Sequence, residues 1–309
     1  MTPYSFGAGN IQDHNTLRVT AQIDQLIERG SMRSQIMKYT FDTQKWGVFI
    51  IPEWNAIRIA STTSGLCVAG PNGDIVGTFP PSSTAYEHVD NSKYGPKGFG
   101  PITDLQVIGN NFYAAGMSRQ VYRRSGNGKW QHVDSGTIQE LGSKDVAGFR
   151  SIDGLSENDI YAVGYMGEIW RCQKSKWQQL SSPTNVALHK VRVVREDLVY
   201  ICGQNGTLLR GSGNQLEIIE HGVKDGLSNI WSMEWYNNTL YLVGDKAMYT
   251  LSNDDTLAPV DLGLGEGLSF GHLHANAGML LSSGPKHVLY TTDGKKWNDI
   301  TLRLNSKQN

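Results

Sequence analysis

A chain of 309 residues is long enough for two ordinary domains, and its 28 Lys and Arg nearly balance 29 Asp and Glu, for a formal net charge of −1. That balance leaves no basic field to hold a phosphate backbone, which argues against nucleic acid as the main partner. No stretch approaches the roughly 18 apolar residues of a membrane span, and the first fifteen residues carry neither a basic start nor an apolar run, so the expected setting is cytoplasmic, away from any membrane.

Residues 1–15, rich in Gly, Asn and Thr, read as a flexible tail. The text from Thr16 to Ile27, TLRVTAQIDQLI, fits either a strand pair or an amphipathic helix, and the interval of 40 residues from Gly30 to Gly70 selects strands. From Asp159 to Leu180 the sequence DIYAVGYMGEIWRCQKSKWQQL carries two β-branched and aromatic runs either side of a tight turn after Gly164, with Trp177 opening a third run. The same frame surrounds Gly70, Gly116, Gly203, Gly244 and Gly284, with a weaker copy at Gly30, so that successive glycines lie 39 to 48 residues apart. A further strand precedes each of the last six frames: NAIRIAS, ITDLQVI, FRSIDGL, HKVRVVR, IWSMEWY and GHLHANA. Trp46, Trp130, Trp177 and Trp297 open the last strand of four units. Asn72-Gly73 and Asn205-Gly206 are hairpin signals, because both positions tolerate positive φ. The repeated Gly is expected to supply a backbone conformation or a close approach that a side chain would forbid.

Four antiparallel strands every 40 or so residues predict an all-β protein folded as a seven-bladed β-propeller of four-stranded blades. Six blades plus an N-terminal addition is the alternative, because the first unit is the weakest. The expected organisation is a tail over 1–15, one propeller domain over 16–302 and a C-terminal tail over 303–309. Cys67, Cys172 and Cys202 are an odd number without CxxC spacing and sit in apolar runs, which reads as packing in a reducing compartment.

The wording of the units resembles the broad bacterial family of WD40, YVTN and BNR-like repeat propellers over about residues 17–302. The Gly-His and Trp-Asp pairs of true WD40 repeats are missing, and so is the full Asp-box of sialidase-type repeats. Thr291-Thr292-Asp293-Gly294-Lys295-Lys296-Trp297 comes one residue short of that box, whose role is to tie down a hairpin turn. The resemblance extends to propellers of bacterial toxin and immunity loci, and implies a non-enzymatic protein-binding propeller that occludes a cognate toxin domain. The implied partner is another protein, the propeller by itself being a monomer.

The connectors between blades share a rim with the hairpins after the repeated Gly, and loops on a rigid scaffold are where partners meet. Candidate contact residues on that rim are Tyr86, Tyr94, Phe99, Tyr165, Met166, Trp231, Phe270 and His272. No cofactor and no metal is implied: His272 and His274 would face the same way on a strand, as ligands can, but no Asp, Glu or Cys accompanies them at ligand spacing. The competing reading is a hydrolase or lyase acting on a sugar or small polar substrate in a channel lined by Arg58, Arg150, Asp153, Arg192, Glu234 and His272, with Asp153 or Glu234 as acid. No phosphate loop, GxSxG elbow or HExxH occurs.

Overall fold

The computed structural model describes residues 2–51, 53–79, 84–126, 128–223, 227–264 and 267–302. They form seven four-stranded antiparallel sheets, each with its strands in sequence order from the channel outwards. The innermost strands, blade by blade, are Tyr4–Asp13, Arg58–Ser61, Ile102–Ile108, Phe149–Ser156, Leu188–Arg195, Ser232–Tyr236 and His272–Asn276. The second strands are buried throughout their middles, as in Asp159–Gly164, because a blade is covered on both faces by its neighbours. Outermost strands such as Lys176–Leu180 are mostly exposed.

The core is divided accordingly. Buried apolar residues fall into seven clusters, one for each blade–blade interface, and none spans the ring. Ring closure uses the same device: Phe6, Ile11, Leu17 and Val19 of blade 1 pack on Met279, Leu281 and Val288 of blade 7, and among the described residues no strand is exchanged between the two. Three of the strand-opening tryptophans fasten the outer strand to the preceding blade. Trp177 donates to Val133 O at 2.7 Å, Trp130 to Glu87 at 3.1 Å, and Trp46 to Ile300 O at 3.0 Å.

Seven blades are present, and the first is built from residues read in sequence as a tail. Tyr4–Asp13 is the inner strand of blade 1, paired along its length with Thr16–Ile23. Its small residues are a packing requirement: a Cβ at Gly9 would lie 2.6 Å from Leu281 Cδ2, and one at Gly7 2.6 Å from Thr20 Oγ1. Gly30 also differs from its supposed counterparts. A five-residue helix, Asp24–Glu28, separates it from the strand end, and it turns the chain at φ +74° with nothing near its Cα. At Asn205-Gly206 both residues have positive φ, whereas at Asn72-Gly73 only the glycine does, since Pro71 takes the preceding turn position. The segment 303–309, expected as a tail, lies outside the described residues.

Candidate protein-binding rim and channel mouth

Inner strands leave backbone N–H groups aimed away from their own sheet, and these must find acceptors. Side chains of the preceding blade supply them. Asp104 Oδ2 accepts from Ile152 N–H at 3.0 Å, Ser151 Oγ from Val191 at 3.3 Å, Asp153 Oδ2 from Val193 at 2.7 Å and Ser232 Oγ from Leu273 at 3.1 Å. At the closing seam, His272 Nδ1 accepts from Gly9 N–H at 3.3 Å and His274 Nδ1 from Ile11 N–H at 3.1 Å. Both imidazoles are therefore neutral acceptors. Burial, reinforced by the positive charges of Arg192 and Lys190, holds His274 down at about 3, and His272 lies well below its ordinary value for similar causes.

The channel charges are linked in the same way. Arg58 Nε lies 3.2 Å and Lys190 Nζ 4.0 Å from Asp104, while Arg192 sits 3.5 Å from Asp153 and 3.1 Å from Glu234. Burial works against the Asp104 anion, yet Lys190 and Arg58 hold its carboxyl below the usual range. Glu234 goes the other way: burial raises it, and Arg192 and Lys190 offset only part of that. Asp153 and Glu234, the acids of the enzymatic reading, are thus tied to Arg192. No group of three or more His, Cys, Asp or Glu suited to a metal ion occurs among the described residues. None of their helices is long and apolar enough to cross a membrane.

At one end the channel opens into a cavity of about 380 Å³ lined by Arg58, Asp104, Arg150, His189, Lys190 and Trp231 among others. Beside it lies a second cavity lined by Arg150, Tyr165, His189 and Trp231, which make two ring contacts. The Arg150 guanidinium lies 5.3 Å from the Tyr165 ring centre and donates to its hydroxyl at 3.4 Å. The His189 and Trp231 rings are 4.7 Å apart, with Trp231 Nε1 donating to Asp245 at 2.8 Å. Burial depresses His189 to about 4, so this ring too is neutral.

The candidate contact residues divide into three groups. Met166 and Tyr94 stand on the rim, 70% and 54% exposed, and Tyr165 and Trp231 are half-buried in the mouth, with His272 deeper in the channel. Phe99 and Phe270 do not present their rings to a partner. Phe99 is tucked under the short helix Pro96–Phe99, and Phe270 packs in the interface of blades 6 and 7, 4.9 Å from His287. Tyr86 is exposed but is not on the rim: it lies in Ala85–His88, the outermost strand of blade 2, and faces sideways from the ring. That strand lies within the stretch from Phe79 to Thr103, which reads in sequence as one long connector. Sequence reasoning passed over Ile27, Met32, Leu141, Val146 and Leu264, which are exposed in the same set of hairpins and connectors. The irregularity of the loop before Phe149 was a signal for Leu141 and Val146; nothing marked Met32.

The fold and this mouth define a seven-bladed repeat propeller of the WD40 and YCF48 architecture. Solved structures with that fold include YCF48 from Cyanidioschyzon merolae, at TM-score 0.69 and 12% identity over 94% of this chain and 95% of that one. Another is YCF48 bound to D1 peptide, at TM-score 0.70 and 13% identity over 94% and 91%. The WD40 propeller domain of Doa1 matches at TM-score 0.68 and 12% identity over 92% and 91%. In sequence the chain is similar to the immune protein Tsi7 of Pseudomonas aeruginosa, with 38% identity over 203 residues. That match spans 66% of this chain and 65% of the relative. No family model matches the chain.

Proposed function

We propose that this chain is a non-enzymatic, protein-binding propeller and works as an immunity protein, seating a cognate toxin domain across the rim at the channel mouth and covering that domain's working surface. The observation that carries the reading is the 38% identity to an immune protein. The rim supports it, since Met166, Tyr94, Val146 and Met32 are exposed apolar groups on hairpins and connectors held by rigid blades. Occlusion needs no acid or base, and the channel carboxylates Asp104, Asp153 and Glu234 are engaged in joining blades. The same considerations favour the cytoplasm as the compartment, where the buried thiols Cys67, Cys172 and Cys202 stay reduced.

The test is a tagged pull-down from the native cells at physiological salt, with the co-purifying proteins identified by mass and quantified. We expect one stoichiometric partner, lost from a Tyr94→Ala, Met166→Ala, Trp231→Ala triple variant whose melting temperature is unchanged. A protein that emerges alone, or a channel that turns over a small molecule, would sink the reading.

A further inference from the structure

One cation of the inner ring has no carboxylate partner among the described residues. Around the channel stand Arg58, Arg150, Lys190 and Arg192 with Asp104, Asp153 and Glu234, and Asp245 lies at the mouth beside Trp231. Arg58 and Lys190 converge on Asp104, and Arg192 lies between Asp153 and Glu234. Arg150 is left over. Its partners among the described residues are the ring and hydroxyl of Tyr165, which use one of its five N–H donors. Asp245, also at this mouth, accepts from the Trp231 indole and forms no ion pair with Arg150 among the described residues. The neighbouring His189 is neutral and packs against Trp231, so it adds no charge of its own.

We infer that Arg150 is the receptor for a single carboxylate of the bound protein, seated in the mouth beside Tyr165, His189 and Trp231. This rests on the protein-binding reading. Arg150 carries a single positive charge, which a carboxylate neutralises and a phosphate dianion would exceed. A guanidinium fork also matches a carboxylate with two parallel N–H···O bonds. The flanking rings exclude water around that pair, which strengthens it. The carboxylate has two possible carriers, an Asp or Glu at a loop tip and the partner's own carboxy terminus.

Three blocked Gly-rich peptides separate them: one with an internal Asp and an amidated end, its Asn counterpart, and the Asn peptide with a free carboxy terminus. They are titrated into nitrogen-15 arginine-labelled protein, with the Arg150 Nε–Hε signal identified by its absence from Arg150→Gln. The expected result is a saturable shift of that signal with the Asp peptide or the free carboxy terminus, whichever is the carrier, and none with the Asn amide. No shift with either carboxylate, an equal shift with the Asn amide, or a stronger response to inorganic phosphate overturns the inference. In the pull-down, Arg150→Gln should weaken partner retention about ten- to a hundredfold, with Arg150→Lys recovering only part and the melting temperature constant. Full retention by Arg150→Gln would refute the carboxylate pocket and leave the immunity reading standing. Failure of the wild-type protein to retain any partner would remove that reading, and the pocket with it.

Discussion

A methyl group added at Gly164 would lie 1.8 Å from the carbonyl oxygen of Gly148, and at Gly116 and Gly203 2.4 Å from those of Pro101 and Ala187. The repeated glycine is therefore a contact residue: its bare Cα lets the incoming connector pass against the end of the second strand. Gly164→Ala is expected to cost at least about 3 kcal/mol, because the obstructing atom is backbone and cannot rotate away. Gly30→Ala should cost only about 1 kcal/mol, the penalty of a left-handed conformation in open space. Urea denaturation of the two variants measures both. Protonation matters as well. Burial pushes His189 and His287 to about 4 and His274 to about 3, with His272 also far down. In the unfolded state these rings titrate near 6.5. Below about pH 6.5 the unfolded state takes up protons that the folded state refuses, so stability falls towards the folded values, by up to about 1.4 kcal/mol per pH unit per ring. Above pH 7 the rings contribute no slope. The urea midpoint should be clearly lower at pH 5.5 than at pH 7.5, and equal midpoints would contradict the neutral assignment.

At the scale of the strand, much was legible because second strands are covered on both faces and so read as unbroken apolar runs ending in Gly. What escaped was the inner strand of blade 1. In this inner strand small residues meet close neighbours, and Gly7, Ala8 and Gly9 look like a loose tail when Thr20 and Leu281, which crowd them, are not in view. Site residues were harder for a related reason. An aromatic in an irregular segment reads the same whether its ring turns out, like Tyr94, or in, like Phe99 and Phe270. Arg150 was visible only as one arginine among several, since its lack of an ion-pair partner depends on pairings across four blades. The distinction is measurable. Phe99→Ala should lower stability by about 3 kcal/mol, as for a buried aromatic. Tyr94→Ala should stay within about 0.5 kcal/mol of wild type in urea while reducing partner capture.

For the whole ring, cohesion rests on seven interfaces of unequal strength. Asp104 serves Arg58 of blade 2, the Ile152 amide of blade 4 and Lys190 of blade 5, and Asp104→Ala would strand the buried Lys190 and Ile152 N–H at a cost of about 3–5 kcal/mol, read as a lower urea midpoint. Among the described residues the interface of blades 1 and 2 has the sparsest cluster, with Ala8 and Ala56 among its seven buried residues, and a groove of about 290 Å³ runs along it. Because blade 1 and blade 7 share no strand among the described residues, the ring there is a clasp rather than a weld, with a mechanical consequence. Gripped at Tyr4 and Leu302, the molecule offers an innermost strand at one handle and, at the other, an outermost strand of two residues, Asn298–Asp299. The second yields first, and unravelling then runs backwards through the blades, each releasing roughly 140 Å of backbone for its forty or so residues.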